Sequence, residues 1–415
     1  MRTLAASQKY KNTPAGRIPV DWSSAAVGSL CGFSGGNGFR PADWADSGLP
    51  IIRIQNLNGS KNFNYYDKPP QPEWIVEPGD LLFAWAGVQG VSFGPTIWGG
   101  PRGLLNQHIY RVRPNEGVNK DWLFLTLQAV TAHIESKAHG FKSSLVHVRK
   151  SDIMNPVVPV PPLAEQQLIS EAVYSWDSAI RSLGSLSENM IVLKRGVMQQ
   201  LLAGKRRFGA STKTTWKTVK LSDVAERITR TNEIGCITVL TSSGEHGLVD
   251  QRDYFDRRVA SDEVSHYLLL RKGEFAYNRS SSAGYPFGAI KRLDGYEQGV
   301  LSVLYLTFAL RDATGIDSDF AAQYFESGAL NRQLSRICEE GARAHGLLSV
   351  AASEFFSVKL DLPPLTEQRR IAALLKVCDD KIGLLKKQAE ALREQKRGLM
   401  QKLLTGQIRL GHPTA

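Results

Sequence analysis

Long apolar runs are missing from this sequence. The longest, Leu81–Val88, falls far short of the roughly 20 residues that span a bilayer. The opening MRTLAASQKYKNTPAGRIP carries no apolar stretch of signal-peptide type. The expectation is a soluble cytoplasmic protein with no membrane partner. Cysteine is scarce: Cys31, Cys236, Cys338 and Cys378 lie far apart. No CxxC pair or Cys/His cluster at zinc spacing occurs, so neither a disulfide framework nor a metal site is indicated. Catalytic motifs are missing too. There is no GxxxxGK[ST] phosphate loop, no GxGxxG after a strand, no HExxH and no GxSxG. Asn155-Pro156-Val157 does not complete the (N/D)PP(F/Y/W) stretch that holds an exocyclic amine. Glu135-Ser136-Lys137 and Glu394-Gln395-Lys396 have a carboxylate-x-Lys pattern, but both fall in helical stretches and read as surface charges. Ser280–Ser282 lack an assignable base, so they read as a polar loop.

Positive charge, by contrast, is in excess. The formal net charge is +11 and the pI about 9.4. A polyanionic partner accounts for that excess, and nucleic acid suits it better than a membrane surface. At 415 residues the chain is too long for one ordinary core, so two or more domains are expected.

A tandem repeat sets the layout. The stretch from Pro161 to Phe208 recurs without a gap from Pro363 to Leu410, an offset of 202 (363 − 161). Both copies share Pro-Pro-Leu, Glu-Gln, Lys-Arg-Gly, Met-Gln, Leu-Leu and a closing glycine. Fainter echoes precede them at an offset of 194: Trp22–Leu30 with Trp216–Val224, and Gly79-Asp80-Leu81 with Gly273-Glu274-Phe275. The predicted order is a globule (1–160), a conserved helix (161–208), a second globule (209–362) and a second helix (363–415).

Each helix is marked by paired prolines before it, a glutamate in its first turn and Gly204 or Gly406 after it. A 4-3 apolar alternation gives a coiled-coil seam. In the first copy it comprises Ile169, Val173, Trp176, Ile180, Leu183 and Met190. In the second it comprises Ile371, Leu375, Cys378, Ile382, Leu385 and Leu392. One seam per helix, and equivalent globules before each, predict an antiparallel coiled coil with an internal pseudo-twofold repeat. Lys194 and Lys396 recur at one a position, where their ammonium groups are expected to snorkel to solvent, the alternative being a device that sets register or partner. The globules read as α/β with a twisted sheet: short β-type runs between Gly, Asn, Asp and Ser turns, then one helix each over Asp121–Gly140 and Asp319–Glu340.

Loops rich in amide, hydroxyl and guanidinium groups have the chemistry of base-edge readers. The first globule offers Arg53, Gln55, Asn56, Asn58, Asn106, Gln107, Lys142 and Ser143. The second offers Thr241, Ser242, Asn278, Arg279, Ser280, Ser281, Arg343 and His345. Asn and Ser also build turns, so each residue has a purely structural alternative. The lysines and arginines of the helices read as a solvated face that can also meet phosphate.

Four stretches in order resemble a known family. Thr13-x-x-Gly16-x-Ile18-Pro19-x-x-Trp22 is similar to the opening of type I restriction–modification specificity subunits. Arg53-Ile-Gln-Asn-Leu-Asn58 resembles part of their first target-recognition domain, and Tyr277–Lys291 one subclass of such domains. Pro-Pro-Leu-x-Glu-Gln leading a long helix that ends Leu-Leu-x-Gly occurs twice, as in that family's repeats. The resemblance covers essentially the whole chain. It implies a non-catalytic, nucleoid-associated subunit whose two target-recognition domains read the halves of a bipartite, asymmetric site in double-stranded DNA. The paired helices would set the spacer between them. It implies two modification (methyltransferase) subunits and restriction/translocase subunits as partners, with no cofactor in this chain. S-adenosylmethionine, ATP and Mg would belong to the partners. A stand-alone DNA-modifying enzyme with divergent motifs and a coiled-coil protein-binding scaffold are the alternatives.

Overall fold

The structure is a computed structural model that describes residues 9–88, 90–138, 145–208, 214–244, 246–254, 263–312, 315–340 and 346–411. The chain divides into two compact units, Met1–Leu183 with Gln388–Ala415, and Gly184–Lys387.

The main layers of unit 1 are two four-stranded sheets and one helix, with three two-stranded ribbons beside them. The strands of the two four-stranded sheets are β1 (Cys31–Gly35), β2 (Leu49–Ile52), β3 (Asn64–Tyr66), β4 (Ile75–Val76), β5 (Leu81–Ala84), β6 (Gly94–Ile97), β7 (Gly103–Leu105) and β8 (Ile109–Pro114). The first sheet is antiparallel in the order β6-β5-β8-β1. The second runs β3-β2-β7-β4, with β2 and β7 parallel. Successive strand residues face opposite ways. Leu81 and Phe83 therefore join a core with Trp122, Leu123 and Leu127 of α1 (Lys120–Ala138). Leu82 joins the core between the two sheets, with Ile52, Val76 and Leu105. All four residues of β5 are buried because both of its faces are covered.

The long helix α2 (Leu163–Leu201) begins in unit 1 and finishes in unit 2. Unit 2 then repeats the plan with β9 (Ala225–Ile228), β10 (Leu240–Ser243), β11 (Gly247–Asp250), β12 (Leu268–Arg271), β13 (Phe275–Asn278), β14 (Ala289–Arg292), β15 (Gln298–Leu301) and β16 (Leu306–Leu310). Its antiparallel sheet is β9-β16-β13-β14. β10 pairs with β11 and β12 with β15, and a parallel bridge joins Val239 to Val300. Phe275 and Tyr277 pack with Phe320 and Phe325 of α3 (Ser318–Glu326), while Ala276 faces the other core with Leu240, Leu270 and Leu301. The single helix expected over Asp319–Glu340 is broken. α3 stops at Glu326 and a second helix runs Asn331–Ile337. Gly328 lies between them at φ +74°, a left-handed conformation that ends a helix.

The second long helix, α4 (Leu365–Leu404), starts in unit 2 and ends in unit 1. Within unit 1 the first half of α2 runs antiparallel to the last part of α4, and Lys396 Nζ meets Asp177 at 2.6 Å. Within unit 2 the same contact recurs 202 residues on, with Lys194 Nζ at 2.6 Å from Asp379. The expected snorkelling of these lysines is overturned. The Lys194 side chain is only 13% exposed, because a carboxylate of the facing helix takes its charge. Ile169, Val173, Ile371 and Leu375 are fully buried, and Cys378 and Leu385 are buried. Trp176, Ile180, Leu183, Met190, Ile382 and Leu392 are half-buried. Both helices end on left-handed glycines, Gly204 and Gly406. A Cβ on Gly406 would come within 2.5 Å of Pro19, so no other residue fits there without displacement.

Candidate nucleic-acid interface

The repeated Pro-Pro-Leu-x-Glu-Gln motif ties each long helix to its unit. Glu165 is buried and accepts from Arg409 at 2.7 and 2.8 Å and from the Trp22 indole at 2.9 Å. Arg409 also donates to Asp21 at 2.6 Å. In unit 2, fully buried Glu367 accepts from Arg207 at 2.7 and 3.2 Å. The glutamine that follows holds the globule. Gln166 Oε1 accepts from Asn119 N, and Gln368 Oε1 from Asp317 N, each at 2.8 Å. Asn119 and Asp317 in turn cap the N-termini of α1 and α3 by accepting from their first amides. Each motif thus fixes its unit's helix layer to the rod.

The candidate reading loops leave the ends of the parallel strands. β2 and β7 end side by side at Ile52 and Leu105, so Arg53 and Asn106 emerge as neighbours, and Asn106 N donates to Ile52 O at 3.1 Å. The Arg53 guanidinium lies 4.6 Å over the Trp44 ring. Gln55, Asn58 and Gln107 are exposed. Asn56 is buried and its carboxamide is spent inside the turn: Oδ1 accepts from Arg53 N, and Nδ2 donates to Ser60 O and Asn62 O. The Asn106 Oδ1 is buried with no hydrogen-bond partner among the described residues, an acceptor awaiting a donor. A cavity of about 440 Å³, lined by Leu57, Phe63, Ile97 and Trp98 with Lys61, adjoins this turn.

Unit 2 gathers its candidates more tightly. Arg279 Nε donates to Leu304 O at 2.8 Å and its Nη1 to Val350 O at 3.3 Å; burial lowers its pKa from the ordinary guanidinium value. Ser281 N donates to Gly346 O, and Ser280 bridges Leu347. Thr241 and Ser242 are half-buried on β10, with Ser242 N donating to Tyr305 Oη at 3.2 Å. Asn278 ends β13. One buried polar cluster joins the two loops. Lys291 Nζ donates to Glu326 at 2.5 Å, to Tyr285 Oη at 2.8 Å and to Gly244 O at 3.1 Å. Tyr285 Oη also bonds Glu326, and burial raises its pKa above the ordinary phenol value. Lys142, Ser143, Arg343 and His345 lie outside the described residues.

Sequence reasoning singled out His108 with its neighbours Asn106 and Gln107 but passed over Trp85 and His147. The Trp85 ring stacks near Tyr110 and lies 5.1 Å from His108 and 4.8 Å from His147, and its Nε1 donates to Gln107 O. The available signal was the 194 offset: Trp85 stands where unit 2 has Arg279 (279 − 85), and both donate to the loop beside them. Among the described residues no group of three His, Cys, Asp or Glu could hold a metal. No described helix is long and apolar enough to cross a membrane.

The chain thus builds two α/β units of one plan, each presenting amide, hydroxyl and guanidinium groups of the kind that can meet base edges. Residues 19–188 match the type I restriction modification DNA specificity domain. The MjaVIII specificity subunit of Methanocaldococcus jannaschii is 24% identical over 97% of this chain and 96% of its own length. The EcoBI specificity subunit of Escherichia coli is 25% identical over 45% of this chain and 39% of its own. A solved chain from a type I restriction–modification system is similar in fold, with TM-score 0.56 at 15% identity, covering 94% of this chain and 99% of that one. Over nearly its whole length the chain is thus similar to type I restriction–modification specificity subunits.

Proposed function

We propose that this subunit reads a bipartite, asymmetric duplex site, one half with each target-recognition domain. The domains are taken as 1–160 and 209–362, and the helical segments 161–208 and 363–415 set the gap between the half-sites. Two modification subunits dock on the paired helices and methylate adenine with S-adenosylmethionine. Restriction/translocase subunits add ATP- and Mg-dependent cleavage, and the assembly works at the nucleoid. The observation that carries this reading is the recurrence of one plan in the two units, each with a parallel strand contact beside its candidate loops, Ile51 with Leu104 in unit 1 and Val239 with Val300 in unit 2. The candidate contacts are those at Arg53–Asn58, Asn106–Gln107, Thr241–Ser242 and Asn278–Ser281, with Lys142, Ser143, Arg343 and His345 in addition. The net +11 charge supplies the sequence-blind attraction to phosphate.

Methylome sequencing of a host that expresses the neighbouring methyltransferase, with and without this chain, tests it. A gapped adenine-methylation motif that appears only with the chain is the expected result. Chain-independent methylation, or a compact palindrome, would overturn it. Lengthening the rod near Leu202–Gly204 by one turn, about 5.4 Å, should widen the gap by one or two base pairs at 3.4 Å each and leave both half-sites unchanged.

A further inference from the structure

One loop has opposite chemistry in the two units. It follows the strand that carries a tightly packed glycine near its start, Gly103 in β7 and Gly299 in β15, 196 residues apart (299 − 103). A Cβ on Gly103 would come within 2.5 Å of Pro50 O, and one on Gly299 within 2.5 Å of Leu240, so both strands lie hard against their parallel neighbours. In unit 1 the loop reads Asn106-Gln107-His108; in unit 2 it reads Ser302-Val303-Leu304. Its anchoring is alike. Trp85 donates to Gln107 O, and Arg279 donates to Leu304 O. Polar readers in one unit are aliphatic side chains in the other.

Val303 is 53% exposed and Leu304 is 52% exposed, and the loop that bears them is held in place. Arg279 holds the Leu304 carbonyl, Tyr305 N donates to Ser302 O at 3.0 Å, and the Tyr305 hydroxyl accepts from Ser242 N. Two aliphatic side chains are thus fixed beside Arg279 and Ser242. In the major groove the apolar feature of a base edge is the thymine 5-methyl group, and aliphatic side chains are its partners. We infer that Val303 and Leu304 read thymine 5-methyl groups in the half-site bound by unit 2. This rests on the reading of the chain as a DNA-recognition subunit. It gives the two half-sites different readout, by hydrogen bonds at Asn106–His108 and by methyl contact at Val303–Leu304.

The test uses the complex with its modification subunits and the gapped motif found by methylome sequencing. Each thymine of both half-sites, on either strand, is replaced singly by deoxyuridine, which removes only the methyl group. Binding is read by fluorescence anisotropy at fixed salt. One or two positions, all in one half-site, should weaken binding about fourfold for each buried methyl lost. The Val303→Ala/Leu304→Ala variant should bind the thymine and uracil probes alike at those positions and keep the gap and the other half-site. A half-site without thymine, no sensitive position, or unchanged sensitivity in the variant would overturn the inference. Loss of modification-subunit assembly in the variant, with uracil sensitivity intact, would make the loop a protein-docking surface and also overturn it. If no chain-dependent gapped motif appears at all, the recognition reading falls and takes this inference with it. A motif without uracil sensitivity removes this inference alone.

Discussion

Replacing Arg207 with methionine tests how the repeated motif holds the rod to its unit. Methionine keeps most of the aliphatic stem and removes the cation. The Glu367 carboxylate is fully buried and takes both of its close donors, at 2.7 and 3.2 Å, from Arg207. Removing one partner of a buried ion pair costs about 3–5 kcal/mol, because the other charge stays buried without compensation. Three kcal/mol is roughly a hundredfold in an opening equilibrium. Hydrogen–deuterium exchange over the first turns of α4 reads that quantity locally, which suits a chain of two units better than one global unfolding curve. Arg207→Met should speed exchange there about a hundredfold or more. Arg207→Met with Glu367→Met should recover most of the loss, since an apolar pair of similar size removes the stranded charge. If the double variant is as loose as the sum of the singles, or the single changes exchange less than fivefold, the buried pair does not govern this junction. Arg409→Met should loosen the start of α2 less, since Glu165 keeps the Trp22 indole as a donor.

Other outcomes can be checked independently. Lys194→Asp and Asp379→Lys should each destabilise unit 2 by about 1 kcal/mol, and the double swap should restore most of it, in a double-mutant cycle followed by urea unfolding; additive losses would show that the pair contributes nothing. Hydrogen bonds from Arg252 hold the Asp250 carboxyl below the usual carboxylate range. A depressed folded pKa contributes stability above the unfolded value that is lost as pH falls through the folded one, so Asp250→Asn should cost about 1 kcal/mol at pH 7 and progressively less as the pH is lowered below the usual carboxylate range. An equal cost at every pH would refute that. Burial pushes the Cys31 thiol up to about 12. Iodoacetamide at pH 8 should therefore spare Cys31 in the folded chain while half-buried Cys236 reacts, and equal labelling of the two would contradict the assigned burial.

The long helices were legible because their signals are local. Paired prolines, a first-turn glutamate, a 4-3 apolar alternation and a closing glycine lie within about 40 residues of one another, and each acts through its neighbours. The break at Gly328 was also written locally but was overlooked. The apolar pattern continues through Asn331–Ile337, and a glycine inside such a pattern is often tolerated. The lysines at the a positions were misread because Asp177 and Asp379 lie about 200 residues away along the chain. A single helix shows its own seam but not the carboxylate that faces it.

The reading loops divide in the same way. Composition picks out Asn, Ser, Gln and Arg, yet it cannot tell that the Asn56 carboxamide is consumed inside its own turn while Gln107 stays exposed. Nor does it flag Val303 and Leu304, because aliphatic residues between two strands read as core. By itself the sequence determined the duplication, the two helices and their seams, the excess positive charge and the lack of catalytic motifs, all properties of residue type and spacing. Tertiary structure alone decided which charges meet across the helix pair, that Glu165 and Glu367 close on Arg409 and Arg207, and that loops far apart in sequence leave adjacent parallel strands. Those outcomes depend on which residues become neighbours once the chain is packed, and separation along the chain carries no record of that.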